Sequence, residues 1–307
     1  MKTACLICFV CDPYLAVFQK NIYLKYWKDE VDEVLVNVNG INEQLKDFIF
    51  DLWQDDKVKV VQKERMMRQG TAFDLLYPHV SKDIDVVMTQ DSDNFIYKKG
   101  VITEFVDKIA SGEVDAFGSS GNHAYPPTVS RAIVAKYGTV RFNPFMTYWR
   151  KSILDQIEDL SWTSYGYEKG DSFEPVGTFE MKGHMEVMAK LSLEFFHLTK
   201  KYKIIPQAEF EKYVHIGGVS SIFRRFFHSV EGGDKNYIRA KGSRINIYYL
   251  LWDYIFWKYT KDRVPFPEYN KEMLRLIKEE LKLHEGSTIS DLEEVLERNK
   301  FLYPGLL

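Results

Sequence analysis

At 307 residues, with 45% hydrophobic and 28% charged residues, the chain is long enough for one large domain plus an appendage and has the composition of a soluble globular protein. Its formal net charge of −3 gives no global reason to expect nucleic acid as a partner. No stretch reaches the roughly 20 consecutive apolar residues that a membrane-spanning helix needs.

Residues 3–11 read as a first strand, and all three cysteines, Cys5, Cys8 and Cys11, lie in it. A zinc site needs a turn between a Cys-x-x-Cys pair and a fourth ligand, whereas an extended strand sends Cys5 and Cys8 to opposite faces. Buried thiols in a reducing, cytoplasmic compartment are therefore expected. Lys2 and the apolar residues after it imitate a signal peptide, but the run is short and meets Asp12-Pro13 without a small-residue cleavage pattern. A helix is expected over residues 15–27, a strand over 34–40 and a helix over 42–53. A strand over 58–61 and a helix over 66–76 follow. This alternation marks an α/β sheet with crossover helices.

Val86-Val87-Met88 is a short apolar run, as expected of a central strand buried on both faces, and it stops at Asp91-Ser92-Asp93-Asn94. In open α/β sheets ligands bind beyond the carboxyl ends of the strands, so Asp91 and Asp93 are delivered to a crevice. Two carboxylates one residue apart suit Mg²⁺ or Mn²⁺, which take oxygen ligands together with substrate phosphates. The same four residues also suit a polar turn that closes the strand. Beyond them come a helix over 100–110 and a strand over 114–120. A surface loop then offers Asn122, His123, Tyr125, Pro126 and Pro127 as substrate contacts. A polar, aromatic loop over 161–174, one long helix over 179–198 and a short strand over 203–206 complete this part.

The order of the pieces over residues 3–221 resembles the GT-A fold glycosyltransferases, specifically the large inverting family of rhamnosyl-, glucosyl- and N-acetylglucosaminyl-transferases. The resemblance is carried by the first strand running into a turn, the second strand over 35–39, and Arg68-Gln69-Gly70-Thr71-Ala72 before the central strand. Asp91-Ser92-Asp93 matches that family's metal-binding Asp-x-Asp, and Tyr202-Lys203-Ile204-Ile205-Pro206 with His215-Ile216-Gly217-Gly218 matches its closing succession. Two departures stand out. Asn37 and Asn39 occupy the place of an aspartate for the donor nucleotide, and Gly183-His184-Met185-Glu186 lies near the place of a missing Glu-Asp pair.

The resemblance implies a GT-A, Rossmann-like mixed sheet flanked by helices and a sugar donor linked to UDP, GDP or dTDP. It implies donor contacts from Asp12, Asn39, Arg68, Gly70, Asp91, Ser92 and Asp93, and Mn²⁺ or Mg²⁺ held by Asp91, Asp93 and His215. The acceptor would be a hydroxyl of a glycan or a lipid-linked molecule. Inversion needs a carboxylate opposite the leaving diphosphate. The candidates are Asp171, Glu174, Glu180 and Glu186. Glu186 lies nearest the family spacing counted back from Tyr202, and Glu180 is second, nearer the expected helix start, where the helix dipole keeps it ionised. A nucleotidyltransferase would carry a Gly-rich, Lys/Arg-containing loop where this chain has Asp12-Pro13-Tyr14. A non-catalytic glycan-binding module would need no metal–diphosphate site.

Residues 1–221 are thus expected to form the catalytic domain and residues 222–307 a helical extension. Residues 224–244 hold six Lys/Arg against two acidic residues, and residues 245–259 are apolar and aromatic around most of a helix. That helix is read as docked on the catalytic domain or in a homodimer interface. The other reading is a peripheral membrane contact, in which basic and aromatic residues meet an anionic lipid surface.

Overall fold

The computed structural model describes residues 1–206, apart from 11–12, 41–42, 65–66, 93, 97, 122–123 and 174–175. The extension expected over 222–307, its aromatic helix and the domain boundary at 221 lie outside the described residues. So do Asp12, Asp93, Glu174 and His215.

The first half alternates as the apolar pattern dictates. β1 (Thr3–Val10), α1 (Pro13–Ile22), β2 (Glu33–Asn39), α2 (Glu43–Leu52), β3 (Val58–Glu64), α3 (Gln69–Leu76) and β4 (Val86–Asp91) follow one another, with a π-helical turn over Tyr23–Trp27. Next come α4 (Val101–Ala110), β5 (Ala116–Gly121), β6 (Ala124–Tyr125), α5 (Pro127–Tyr137), β7 (Arg141–Arg150) and α6 (Lys151–Leu154). Short strands β8 (Tyr165–Tyr167), β9 (Ser172–Phe173), β10 (Gly177–Thr178) and β11 (Gly183–Met185) precede α7 (Ala189–Leu198) and β12 (Tyr202–Ile205).

Seven strands form one sheet in the order β12-β5-β7-β4-β1-β2-β3, and only β7 runs antiparallel to its neighbours. This is the mixed α/β sheet flanked by helices that the sequence leads one to expect. The chain winds outward from β1 through β2 to β3, then returns to lay β4 on the other side of β1. That reversal is the switch point at which such sheets open a crevice at their carboxyl edge. Cys8 of β1 is in register with Asp91 of β4 there.

Both faces of the sheet are covered, which is why its strands read as unbroken apolar runs. Leu6, Val87 and Trp149 join Phe73 of α3 and Phe195 of α7 in one cluster, with Trp149 and Phe195 rings 4.9 Å apart. On the other face Phe9 packs 5.0 Å from Trp53, and Phe105 of α4 packs 5.0 Å from Tyr148. Each such buried ring stabilises the fold by roughly 1.5–3 kcal/mol. Cys5 and Cys8 remain buried thiols, as expected, and burial raises the pKa of Cys5.

Two sequence expectations are corrected. The single helix over 179–198 is replaced by β11 and a shorter α7, because β11 is taken up between β6 and β8 in a small antiparallel sheet. The turn into α7 passes through Met188 at φ 67°. Residues 127–137, beginning within the expected loop, form α5, since Pro127 opens the helix at a position where its missing N–H costs nothing.

Candidate functional site

The carboxyl edge at the switch point is built from β4 outward. β4 ends on Asp91, which is partly exposed, while Ser92 behind it is buried. The turn that follows is held from three directions. Asn94 N–H donates to Asp91 O at 3.1 Å, and Gln19 Nε2 of α1 donates to Asn94 O at 2.7 Å while lying 3.5 Å from the carbonyl oxygens of Asp91 and Ser92. Gln90 Nε2 also donates to Asn94 O at 2.7 Å, and Asn94 Nδ2 reaches Phe145 O of β7 at 2.9 Å. Gln19, Gln90 and Asn94 are fully buried, so these amides hold the backbone of the turn that Asp91 opens. Asn94→Ala leaves Phe145 O and the turn without this link. Chemical denaturation is expected to show a loss of about 1–3 kcal/mol, the cost of a buried polar group left unmade.

On the β1–β2 side of Asp91, Cys8, Asn37 and Asn39 form a buried polar cluster. Asn39 Nδ2 lies 3.0 Å from Cys8 Sγ and 3.2 Å from Asn37 Oδ1. Asn37 Nδ2 and Asn39 Oδ1 are left without hydrogen-bond partners, a donor and an acceptor at the carboxyl end of β2.

On the opposite side stand Glu186 and Arg141. Glu186 follows β11, is partly exposed, and lies with Oε1 3.9 Å from His184 Nε2. Its carbonyl accepts the Ala189 N–H at 3.0 Å, which places it immediately before α7. The helix-start position that favoured Glu180 therefore belongs to Glu186 instead, and Glu180 is an exposed residue between β10 and β11. Asp171 accepts the Glu168 N–H at 2.8 Å within its own turn.

Arg141, at the start of β7, was not singled out from the sequence. Its only sequence signal is a lone cation in the apolar run Val140-Arg141-Phe142. Burial lowers its pKa from the ordinary value, while the charges of Glu186 and Asp91 act to raise it. The guanidinium therefore lies within the field of both carboxylates.

Two other sequence candidates stand elsewhere. Arg68, the exposed residue before α3, donates from Nη1 to Ser164 Oγ at 3.1 Å. Gly70 is buried, and a Cβ there would stand 2.4 Å from Trp162 O and 2.7 Å from Thr163 Cα. Its glycine lets α3 close on the backbone of residues 162–163. Asp74 fastens the same contact by accepting the Trp162 N–H at 2.6 Å and the Ser161 hydroxyl at 2.9 Å.

Comparison with known proteins adds the following. No family model matches the chain, and no curated protein matches it. Among solved structures, the mannosyltransferase PcManGT from Pyrobaculum calidifontis, in complex with GDP-Man and Mn²⁺, aligns at 12% identity over 99% of this chain and 81% of its own, with a TM-score of 0.46. TarS 1–349 from S. aureus aligns at 13% identity over 67% of this chain and 58% of its own, with a TM-score of 0.41. Glucosyl-3-phosphoglycerate synthase from M. tuberculosis aligns at 13% identity over 51% of this chain and 59% of its own, with a TM-score of 0.37. These likenesses are too distant to assign an activity, which has to be read from the residues themselves. Among the described residues, no helix is long and apolar enough to cross a membrane.

Proposed function

We propose that the chain is a GT-A fold glycosyltransferase that moves a sugar from a nucleoside diphosphate to a hydroxyl of a glycan or lipid-linked acceptor, with inversion. The observation that carries this reading is Asp91 at the switch point of the sheet, opening a turn whose backbone is held by buried amides. Such an edge takes ligands, and a carboxylate there calls for a positive partner.

The surroundings support a nucleotide on one side and chemistry on the other. The unpartnered Asn37 Nδ2 and Asn39 Oδ1 offer a donor and an acceptor to the edge of a nucleobase, in the place where the resembled family uses an aspartate. Glu186, opposite, is the proposed general base for the acceptor hydroxyl. Its partly exposed carboxylate is reachable from solvent, as an acceptor must reach it.

Among the described residues no group of three His, Cys, Asp or Glu is gathered for a metal ion. Asp91 supplies one hard carboxylate ligand of the kind that Mn²⁺ and Mg²⁺ take alongside substrate phosphates. Asp93, two residues on, and His215 are proposed as the others. When bound, the cation supplies positive charge against the diphosphate that leaves. The donor is UDP-, GDP- or dTDP-linked. Membrane or homodimer contact is proposed only for the extension beyond residue 221.

A product assay tests the reading. UDP-, GDP- and dTDP-sugars are incubated with the protein, Mn²⁺ and glycan acceptors, and the nucleotides are resolved by chromatography. Release of nucleoside diphosphate with a glycosylated acceptor is the expected result. Pyrophosphate released from a nucleoside triphosphate and a sugar phosphate would make the chain a nucleotidyltransferase instead.

A further inference from the structure

One charged side chain is built into this edge with more donors than the protein uses. Arg141 begins β7 and is in register with Gly121, the last residue of β5. It is 9% exposed, and its Nε and Nη1 are shielded from solvent without a hydrogen-bond partner. A guanidinium does not shed its proton to escape burial. The strand beside it is shaped to admit it, because a Cβ at Gly121 would stand 3.0 Å from Arg141 Nε and 2.6 Å from Asn143 Oδ1. The charges that reach the guanidinium are those of Glu186 and Asp91, the proposed base and the proposed metal ligand.

Nε–H points away from Nη1, so the two unpartnered atoms lie on different edges of the planar fork, and each edge takes phosphate oxygens. We propose that Arg141 binds the diphosphate of the donor, its guanidinium donating to phosphate oxygens. This deepens the transferase reading and rests on it. In the transfer, the bond from C1 of the sugar to the β-phosphate oxygen breaks and its electron pair stays on that oxygen. C1 bonds the acceptor oxygen, whose proton passes to Glu186. The β-phosphate thus gains negative charge as the bond breaks, and a buried cation answers it without the reorganisation that water would need.

Calorimetric titration of UDP and GDP, alongside uridine and guanosine, into the wild type, Arg141→Met and Arg141→Lys in the presence of Mn²⁺ tests the assignment. Arg141→Met is expected to weaken the nucleoside diphosphate by roughly 10- to 100-fold, the scale of charge-assisted hydrogen bonds, and to leave the nucleoside within about 2-fold. Arg141→Lys keeps the charge without the fork and is expected to lose about 10-fold. If Arg141→Met does not fold, the Lys variant decides alone. Diphosphate binding equal to wild type, equal losses for nucleoside and diphosphate, or a change confined to acceptor KM would each overturn the proposal. A wild type that binds no nucleoside diphosphate would instead remove the transferase reading beneath it.

Discussion

Asp91→Ala is expected to abolish Mn²⁺-dependent binding of the sugar nucleotide and to lower turnover by at least about 10²-fold, the cost of losing one group that stabilises developing charge. The size follows from position. Asp91 ends the central strand, and its turn is tied by Gln19, Gln90 and Asn94 to α1, β4 and β7. With the backbone of its turn held, Asp91 needs little ordering when a ligand arrives. The loss should therefore fall on metal-linked binding, while the fold keeps its stability because Asp91 is partly exposed. Equilibrium titration of donor with and without Mn²⁺, next to a denaturation curve, separates the two. Mn²⁺-stimulated binding at the wild-type level in Asp91→Ala would remove the proposed role.

Glu186→Gln is expected to lower turnover by roughly 10²-fold or more with donor affinity unchanged, as the loss of a general base does. The substitution keeps the side chain's shape and removes the charge that takes the acceptor's proton. Glu186 stands just before α7 and within the field of Arg141, whereas Glu180 is exposed and removed from that helix start. Glu180→Gln should accordingly turn over normally. Steady-state kinetics with saturating donor decides between them, and a reversed result would transfer the base to Glu180.

What was legible in the sequence follows from burial. β1, β2 and β4 are covered on both faces, so they stand out as apolar runs, and the helices between them keep a helical spacing of apolar residues. Asp91 was legible because it interrupts such a run at its end. The second half was harder. β11 is three residues long and owes its form to β6 and β8, partners distant in the chain, so its one large apolar residue, Met185, was absorbed into an expected helix. Pro126-Pro127 reads equally as a loop and as a helix opening, and α5 was missed on that account. Arg141 was overlooked because its significance comes from Gly121, Asp91 and Glu186, none of which is near it in sequence.

Thermal unfolding of the wild type with UDP-, GDP- and dTDP-sugars, in Mn²⁺ and in EDTA, tests the central claim most directly. At a ligand concentration about 100 times Kd, binding adds about 2.7 kcal/mol, which raises Tm by roughly 5 °C in a protein of this size. One nucleotide class is expected to give that rise in Mn²⁺ and to lose it in EDTA. No shift with any nucleotide sugar, together with stabilisation by free glycan in EDTA, would contradict the account and leave a glycan-binding module in its place.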